Sequence, residues 1–228
     1  SGATAPEWTD SPQSLMTAEG DILYASGANT LAKLAKGSDD EVLTLASGVP
    51  SWAAAGGGAW NLLATTTASG ASSADFVHGS GGVDLTTYKM YKLLGMDIHV
   101  SDSDSNPIVL WSNDTGGSYS VSGYETSELY ITYGGSVSVN SSTSSSLFMN
   151  NLGNSDEESG TFEFTFPNPS QSSVWQNSFW TGVGSPATGN ARLMFGSSVW
   201  KSASVVDALQ FKISSGTFDG VLKLYGLS

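Results

Sequence analysis

Apolar and polar residues alternate along short segments of the chain after residue 59, and clusters of Gly, Ser, Asn and Pro separate these segments. In the clearest case, Phe162, Phe164 and Phe166 occupy every second position, with Thr and Glu between them. A period of two indicates a β-strand with one buried face. We predict strands in the segments WNLLATTT, ADFVHG, YKMYKLLGMDIHVS, PIVLWS, LYITYG, VSVNS, SSLFMN, GTFEFTF, SFWTGV, ARLMFG, ALQFKIS and VLKLYGL.

No segment after residue 56 combines the length and the period of an amphipathic helix. Many short strands with turn residues between them are typical of a sandwich or a barrel. We therefore predict an all-β fold, in which residues 59–228 form a jelly-roll-like β-sandwich. Residues 1–19 read as an extended arm, and the triple glycine at 56–58 as a hinge.

The unit between the arm and the hinge, residues 20–55, combines short strands with a shortage of core residues. The segments DILYAS and VLTLAS predict strands, whereas TLAKLAK fits a helix or a strand because Leu31 and Leu34 are three residues apart. A unit of about 40 residues without disulfide or metal seldom folds alone. The sandwich or neighbouring chains must therefore cover its apolar set, which is Ile22, Leu23, Leu31, Leu34, Val42, Leu43, Leu45 and Trp52.

Composition excludes several classes of function. Charged residues make up only 13% of the 228 residues, about half the usual share, and the formal net charge is −13 with 8 Lys and Arg. This balance argues against nucleic acid and against anionic membrane surfaces as partners, because both require cations. The chain has no cysteine, and no apolar run approaches the ~18 residues of a membrane-spanning helix.

No catalytic or metal-binding motif stands out. His78 and His99 each fall in a predicted strand without a recognisable partner, and we interpret them as structural. The stretch from Asp102 begins like a calcium loop, but Pro107 replaces the required glycine, so an EF-hand is excluded. A shallow calcium site at Asp102 and Asp104 stays open as an alternative. We predict no enzyme activity, no catalytic residue, no cofactor and no resident metal.

Aromatic residues are the best candidates for ligand binding. Sugars are commonly recognised by a flat aromatic face with amide and hydroxyl groups around it, and loops at the ends of sandwiches carry function. Tyr119, Tyr124 and Trp175 lie in polar segments and are therefore candidate glycan-binding residues. We interpret Phe179 and Trp180 as core residues, since most large aromatic side chains are buried.

Residues 20–55 resemble a recurring module of tailed-bacteriophage fibre and virion structural proteins. The C-terminal GVLKLYGLS is similar to the closing strand of phage fibre head domains. In that family such modules sit in homotrimers, so the resemblance implies that the apolar set of residues 20–55 forms a trimer interface, and it implies a virion location. The matching residues are Gly20, Asp21, Ile22, Leu23, Leu31, Leu34, Gly37, Asp39, Asp40, Val42, Leu43, Pro50 and Trp52.

The resulting functional expectation is a trimeric bacteriophage tail fibre. Its N-terminal region would bind other virion proteins, and its sandwich would be a knob that adheres to the host surface, where a glycan is a candidate receptor. Two alternatives remain. One is a capsid head fibre or decoration (cement) protein, and the other is a carbohydrate-binding module of a secreted protein.

Overall fold

The computed structural model describes residues 12–54, 60–143, 151–155, 157–167, 169–186 and 190–227. These residues form strands and loops, with one short 3-10 helix at Pro12–Leu15, so the predicted all-β fold is confirmed. The chain divides into two compact units, residues 1–58 and residues 59–228. Residues 1–11 of the predicted arm and the predicted hinge at 56–58 lie outside the described residues. None of the helices in the described ranges is long and apolar enough to cross a membrane.

The N-terminal unit consists of two antiparallel β-hairpins, each with its own two-stranded sheet. In the second hairpin, Ser47 and Gly48 both have positive φ angles, of 52° and 82°, as a two-residue type I′ turn requires. The ambiguous segment after residue 30 is a strand, because pairing with the preceding strand satisfies its backbone groups. The strands are β1 (Ile22–Gly27), β2 (Thr30–Leu34), β3 (Glu41–Ala46) and β4 (Val49–Ala54).

The C-terminal unit is a sandwich of two antiparallel sheets of unequal size. Eleven of the twelve predicted segments are strands, and the twelfth, residues 145–150, lies outside the described residues. The strands are β5 (Trp60–Ala71), β6 (Ser73–Val77), β7 (Met90–Val100), β8 (Pro107–Ser112), β9 (Tyr124–Thr132), β10 (Val137–Ser142), β11 (Gly160–Pro167), β12 (Gln176–Gly184), β13 (Arg192–Trp200), β14 (Ala208–Ile213) and β15 (Phe218–Leu227).

Strand order shows how the two sheets are assembled. The larger sheet has eight strands in the order β10-β9-β13-β12-β11-β7-β15-β5, and the smaller has three in the order β6-β14-β8. Strands β10 and β5 therefore form the two ends of the large sheet as described. The inner face of this sheet packs on the small sheet and encloses the core.

Aromatic side chains join the two sheets across the core. The alternating Phe162, Phe164 and Phe166 of β11 are all buried, as their period of two predicts. Trp111 of β8 meets Phe166 edge to face with ring centroids 4.9 Å apart, and Phe211 of β14 stacks on Phe162 at 5.3 Å. Such pairs contribute about 0.5–1.5 kcal/mol each beyond the area that they bury.

Candidate interaction surfaces

The N-terminal unit has no core of its own. No apolar residue between 12 and 53 is buried, and the buried apolar residues of the described chain begin at Ala68. Of the predicted trimer-interface residues, Ile22, Leu23, Leu34 and Trp52 are half-buried. The other four are exposed, and we call them the hairpin surface: Leu31, Val42, Leu43 and Leu45, with Leu45 72% exposed.

Trp52 links the two hairpins. Its indole Nε1 donates a hydrogen bond to the carbonyl oxygen of Ala35, at 2.6 Å, just beyond the end of β2. The ring lies against Gly37, where an added Cβ would approach it to 2.8 Å. The loop between the hairpins is thus held against β4, and Trp52 pairs with Leu43 across the second hairpin. These contacts order the unit while they leave the leucines of the hairpin surface uncovered.

Asp21 organises the start of the first hairpin. One oxygen of its carboxylate accepts hydrogen bonds from the backbone N–H groups of Thr17 and Ala18, both at 2.9 Å. The other oxygen accepts one from the N–H of Lys36, and the Lys33 ammonium lies 3.4 Å from the carboxylate. Hydrogen bonds from Thr17, and then from Ala18 and Lys36, lower the pKa of Asp21 to about 2. The carboxylate is therefore a structural group here.

The large sheet of the sandwich is apolar on its outward side as well. Along β12, inward residues are buried and outward residues are exposed, and the outward ones include Phe179 and Val183, at 54% and 51% exposure. Phe179 was expected in the core, and that interpretation is wrong, whereas Trp180 is buried as predicted. We call the following set the outer face: Leu129, Val137, Val139, Phe179, Val183, Leu193 and Phe195.

Register places the residues of the outer face side by side. Phe195 pairs with Leu129 of β9, which in turn pairs with Val139 of β10. Leu193 pairs with Val183 on one side and with Ile131 on the other. Directly paired residues in antiparallel strands have Cβ atoms about 5 Å apart, so these side chains form one continuous apolar area across four strands.

A shallow pocket adjoins the outer face, near the N-terminal end of β9. It has a volume of about 340 Å³ and is lined by Ser and Thr residues together with Glu125 and Val199, which present more carbon than polar surface to it. Glu125 forms an ion pair with Lys201, whose Nζ lies 5.5 Å from the centre of the Trp175 ring. Trp175 is 50% exposed. Trp175 is not part of the pocket lining, and the Lys201–Glu125 pair lies between its ring and the pocket. This corner therefore brings an indole, hydroxyl groups and a carboxylate near one another, and these groups commonly bind sugars.

The other two candidate glycan residues lie elsewhere. Tyr124 is fully buried at the start of β9, where its hydroxyl accepts from the Trp111 N–H and donates to the Ser120 carbonyl. Burial raises its pKa above the usual range. Its ring therefore has no face to offer a glycan, and the prediction for this residue is wrong. Tyr119 is half-buried against the core, and burial raises its pKa to about 12.

The histidines and the acidic loop do not assemble a reactive centre. His78 accepts a hydrogen bond from the Leu85 N–H, and His99 lies 3.0 Å from an oxygen of Asp97. The carboxylate of Asp102 is occupied by Ser101 and Ser215 hydroxyls. Within the described ranges, no three His, Cys, Asp or Glu side chains converge as metal ligands would.

The sequence analysis did not predict the outer face, because a period of two was interpreted as one buried face and one polar, solvent-exposed face on each strand. A signal was present in β13, which carries Leu193, Met194 and Phe195 in succession. Apolar residues at both parities predict a strand that is covered on both sides.

Comparison of the chain with models of protein families, with curated proteins and with solved structures finds no match.

Proposed function

We propose that this chain is a structural subunit of a bacteriophage virion, a homotrimeric fibre whose residues 20–55 form the trimerisation module. The observation that carries the proposal is the ordered pair of hairpins in which no apolar residue between 12 and 53 is buried. Two isolated hairpins are marginally stable in water. Sister hairpins supply the missing apolar partner surface, as the resemblance of this segment to phage fibre modules implies.

The hairpin surface favours such an association. Burying a leucine or valine side chain fully contributes about 1.5–3 kcal/mol. Four such residues remain roughly half exposed or more in one chain, namely Leu31, Val42, Leu43 and Leu45. Three copies together would bury apolar area from all three chains, so the free energy gained would be several times that of burying one side chain. No specific chemistry is needed for this gain.

The oligomeric mass of the full chain tests this proposal. We expect mass photometry to find trimers in the native protein and monomers in the double variant Leu43→Ser with Leu45→Ser. Val121→Ser is the matched control, because Val121 is also 72% exposed but belongs to the sandwich, and it should leave the trimer intact. A native chain that is monomeric, with the hairpins ordered, would refute the proposal.

The proposed place in the particle is the tail, with the N-terminal region bound to other virion proteins. A head fibre or decoration protein would use the same module on the capsid lattice. Gold-labelled antibody against the sandwich, viewed on intact particles by electron microscopy, separates these two sites. Label on neither the tail nor the head would count against a virion role.

Host adhesion is the proposed role of the sandwich, and the corner formed by the pocket and Trp175 supports this role. The half-exposed Trp175 ring beside Lys201, Glu125 and several hydroxyls favours a glycan ligand. Low affinity at each site would be multiplied by the three copies. A monomeric chain with the same pocket would instead favour the carbohydrate-binding module of a secreted protein.

A glycan array tests this pocket. We expect Trp175→Ala to lose most binding, since stacking on an indole supplies the apolar part of sugar recognition. Trp60→Ala is the matched control, because it removes another Trp with a Lys above it, the Nζ of Lys92 lying 4.4 Å from the ring centre. Equal binding by both variants and the native chain would remove the pocket from the proposal.

A further inference from the structure

The outer face is more apolar than a sheet face in contact with water usually is. Antiparallel sheets that face water normally carry polar residues on that side. Here seven large apolar side chains are each exposed by 37% to 68%. Together they present roughly 600 Å², the upper end of the largest apolar patch on a typical monomer, and patches of this kind mark interaction sites.

The outer face also lacks formal charge, although the chain as a whole carries −13. Two ion pairs of the chain flank it at its margins. Lys201 binds Glu125 at one margin, and the Lys92 ammonium lies 2.9 Å from the Glu163 carboxylate at the other. Copies of so acidic a chain repel one another wherever charges face each other. An uncharged face with neutralised margins is where such copies can meet.

We infer that the outer face packs against the sandwich of a second copy of this chain. The inference deepens the proposed function and rests on it, because the hairpins would bring the copies together. Only residues 55–59 separate β4 from β5 in sequence, so trimerised hairpins would hold sister sandwiches at an effective concentration in the millimolar range.

Area and tethering together favour a sister sandwich over a foreign protein. In a three-fold assembly each outer face would meet a different patch of the next sandwich, and each such contact would bury roughly 1,200 Å² in total, the lower limit of a specific interface. An interface of that size is weak between free partners. A sister sandwich can bind through an interface of this size, because it is already tethered nearby. A foreign protein would have to compete with the high local concentration of the sister sandwiches.

Thiol labelling of the full chain tests the inference, because the native sequence has no cysteine. Val183→Cys places a thiol in the outer face, and Val121→Cys places one on the sandwich outside it, with exposures in the single chain of 51% and 72% for the native valines. We expect maleimide to label Val183→Cys at least about tenfold more slowly than Val121→Cys in the trimer, because labelling must wait for local opening. In a chain that also carries Leu43→Ser and Leu45→Ser, the two rates should become similar.

A photo-crosslinker identifies the covering surface. Benzophenone maleimide on Val183→Cys, in a mixture of isotopically labelled and unlabelled chains, should join peptides of residues 60–227 from two different chains. Crosslinks to residues 12–54, or only within one chain, would overturn the inference. So would equal labelling of the two thiols in a confirmed trimer, a result that leaves the proposed function standing. A monomeric native chain would overturn both.

Discussion

Asp21 shows how one carboxylate can organise a unit that lacks a core. It receives three backbone N–H groups from either side of the first hairpin and lies beside Lys33. A carboxylate with several such donors loses them when it is protonated. The order of the N-terminal unit is therefore linked to the charge of this residue.

We predict that acid destabilises the N-terminal unit through Asp21. Its pKa is lowered from 3.8 to about 2 on folding, so its contribution is fully present above pH 4 and is lost as the pH falls toward about 2. The amide signals of Thr17 and Ala18 in NMR spectra should report this transition. Asp21→Asn should weaken the hydrogen bonds of these two N–H groups at neutral pH, and their signals should then change less as the pH falls. Asp39→Asn in the exposed turn serves as the control. An unchanged acid response in Asp21→Asn would contradict the prediction.

Residue by residue, the sequence predicts burial better than it predicts exposure. The alternating phenylalanines of β11 are buried as their spacing requires. Tyr124 and Trp175 lie in similarly polar segments, yet one is buried and the other is half exposed. The difference comes from the Trp111 N–H that meets the Tyr124 hydroxyl, a partner 13 residues away that no local pattern shows.

Cross-strand contacts between glycines and aromatic rings shape the strands of the large sheet. Gly95 of β7 pairs with Phe162 of β11, and the Phe162 ring lies directly over the glycine. Trp180 of β12 covers Gly196 of β13 in the same way. In each pair the missing side chain makes room for a ring that lies flat on the neighbouring strand.

We predict that Gly95→Ala destabilises the sandwich by about 1–3 kcal/mol, because the added methyl group would overlap the Phe162 ring. Thermal unfolding followed by calorimetry measures the change. Gly27→Ala in β1 is the control, since its added methyl would be 3.8 Å from the Thr30 hydroxyl, an ordinary contact. Equal stability of the Gly95→Ala and native proteins would show that Phe162 can move aside.

At the level of elements, the strand positions and the buried face of β11 were predicted, but the apolar outward face of the large sheet was not. Period two and turn residues located the strands of the sandwich, since both depend on neighbours in sequence. The second strand, β2, stayed ambiguous because its spacing fits two periods and pairing with β1 decides between them. The outer face depends on the strand order β10-β9-β13-β12. In this order β9 and β13 are adjacent in the sheet although they are far apart in the sequence.

The whole molecule combines a high negative charge with two uncharged apolar surfaces. The hairpin surface lies in one unit and the outer face in the other. Charge repulsion between copies therefore opposes the association that the apolar areas favour. The charge follows directly from the composition. The extent of the second apolar surface follows from the sheet order, which brings four strands with outward apolar residues together.

We predict that moderate salt strengthens the proposed trimer. The Debye length falls from about 30 Å at 0.01 M to about 8 Å at 0.15 M, which screens repulsion between the copies. The dissociation constant, measured by sedimentation or mass photometry, should therefore fall over this range.

The double variant Asp39→Asn with Asp104→Asn is the control for the effect of charge. It reduces the net charge from −13 to −11, and Asn tolerates the positive φ of 60° at position 104. This variant should depend less on salt. Dissociation on adding salt would instead show an interface held by ion pairs.

Strand β10 limits how the protein can be handled. It ends the large sheet as described, carries Val137 and Val139 at 59% and 68% exposure, and has no charged residue or proline along its length. In natural sheets, charged residues, prolines or bulges usually prevent such an edge strand from pairing with a strand of another chain. We therefore expect the protein to gel or form fibrils by pairing at this edge strand when it is concentrated, refolded or heated. The variant Val139→Lys should remain soluble under the same conditions.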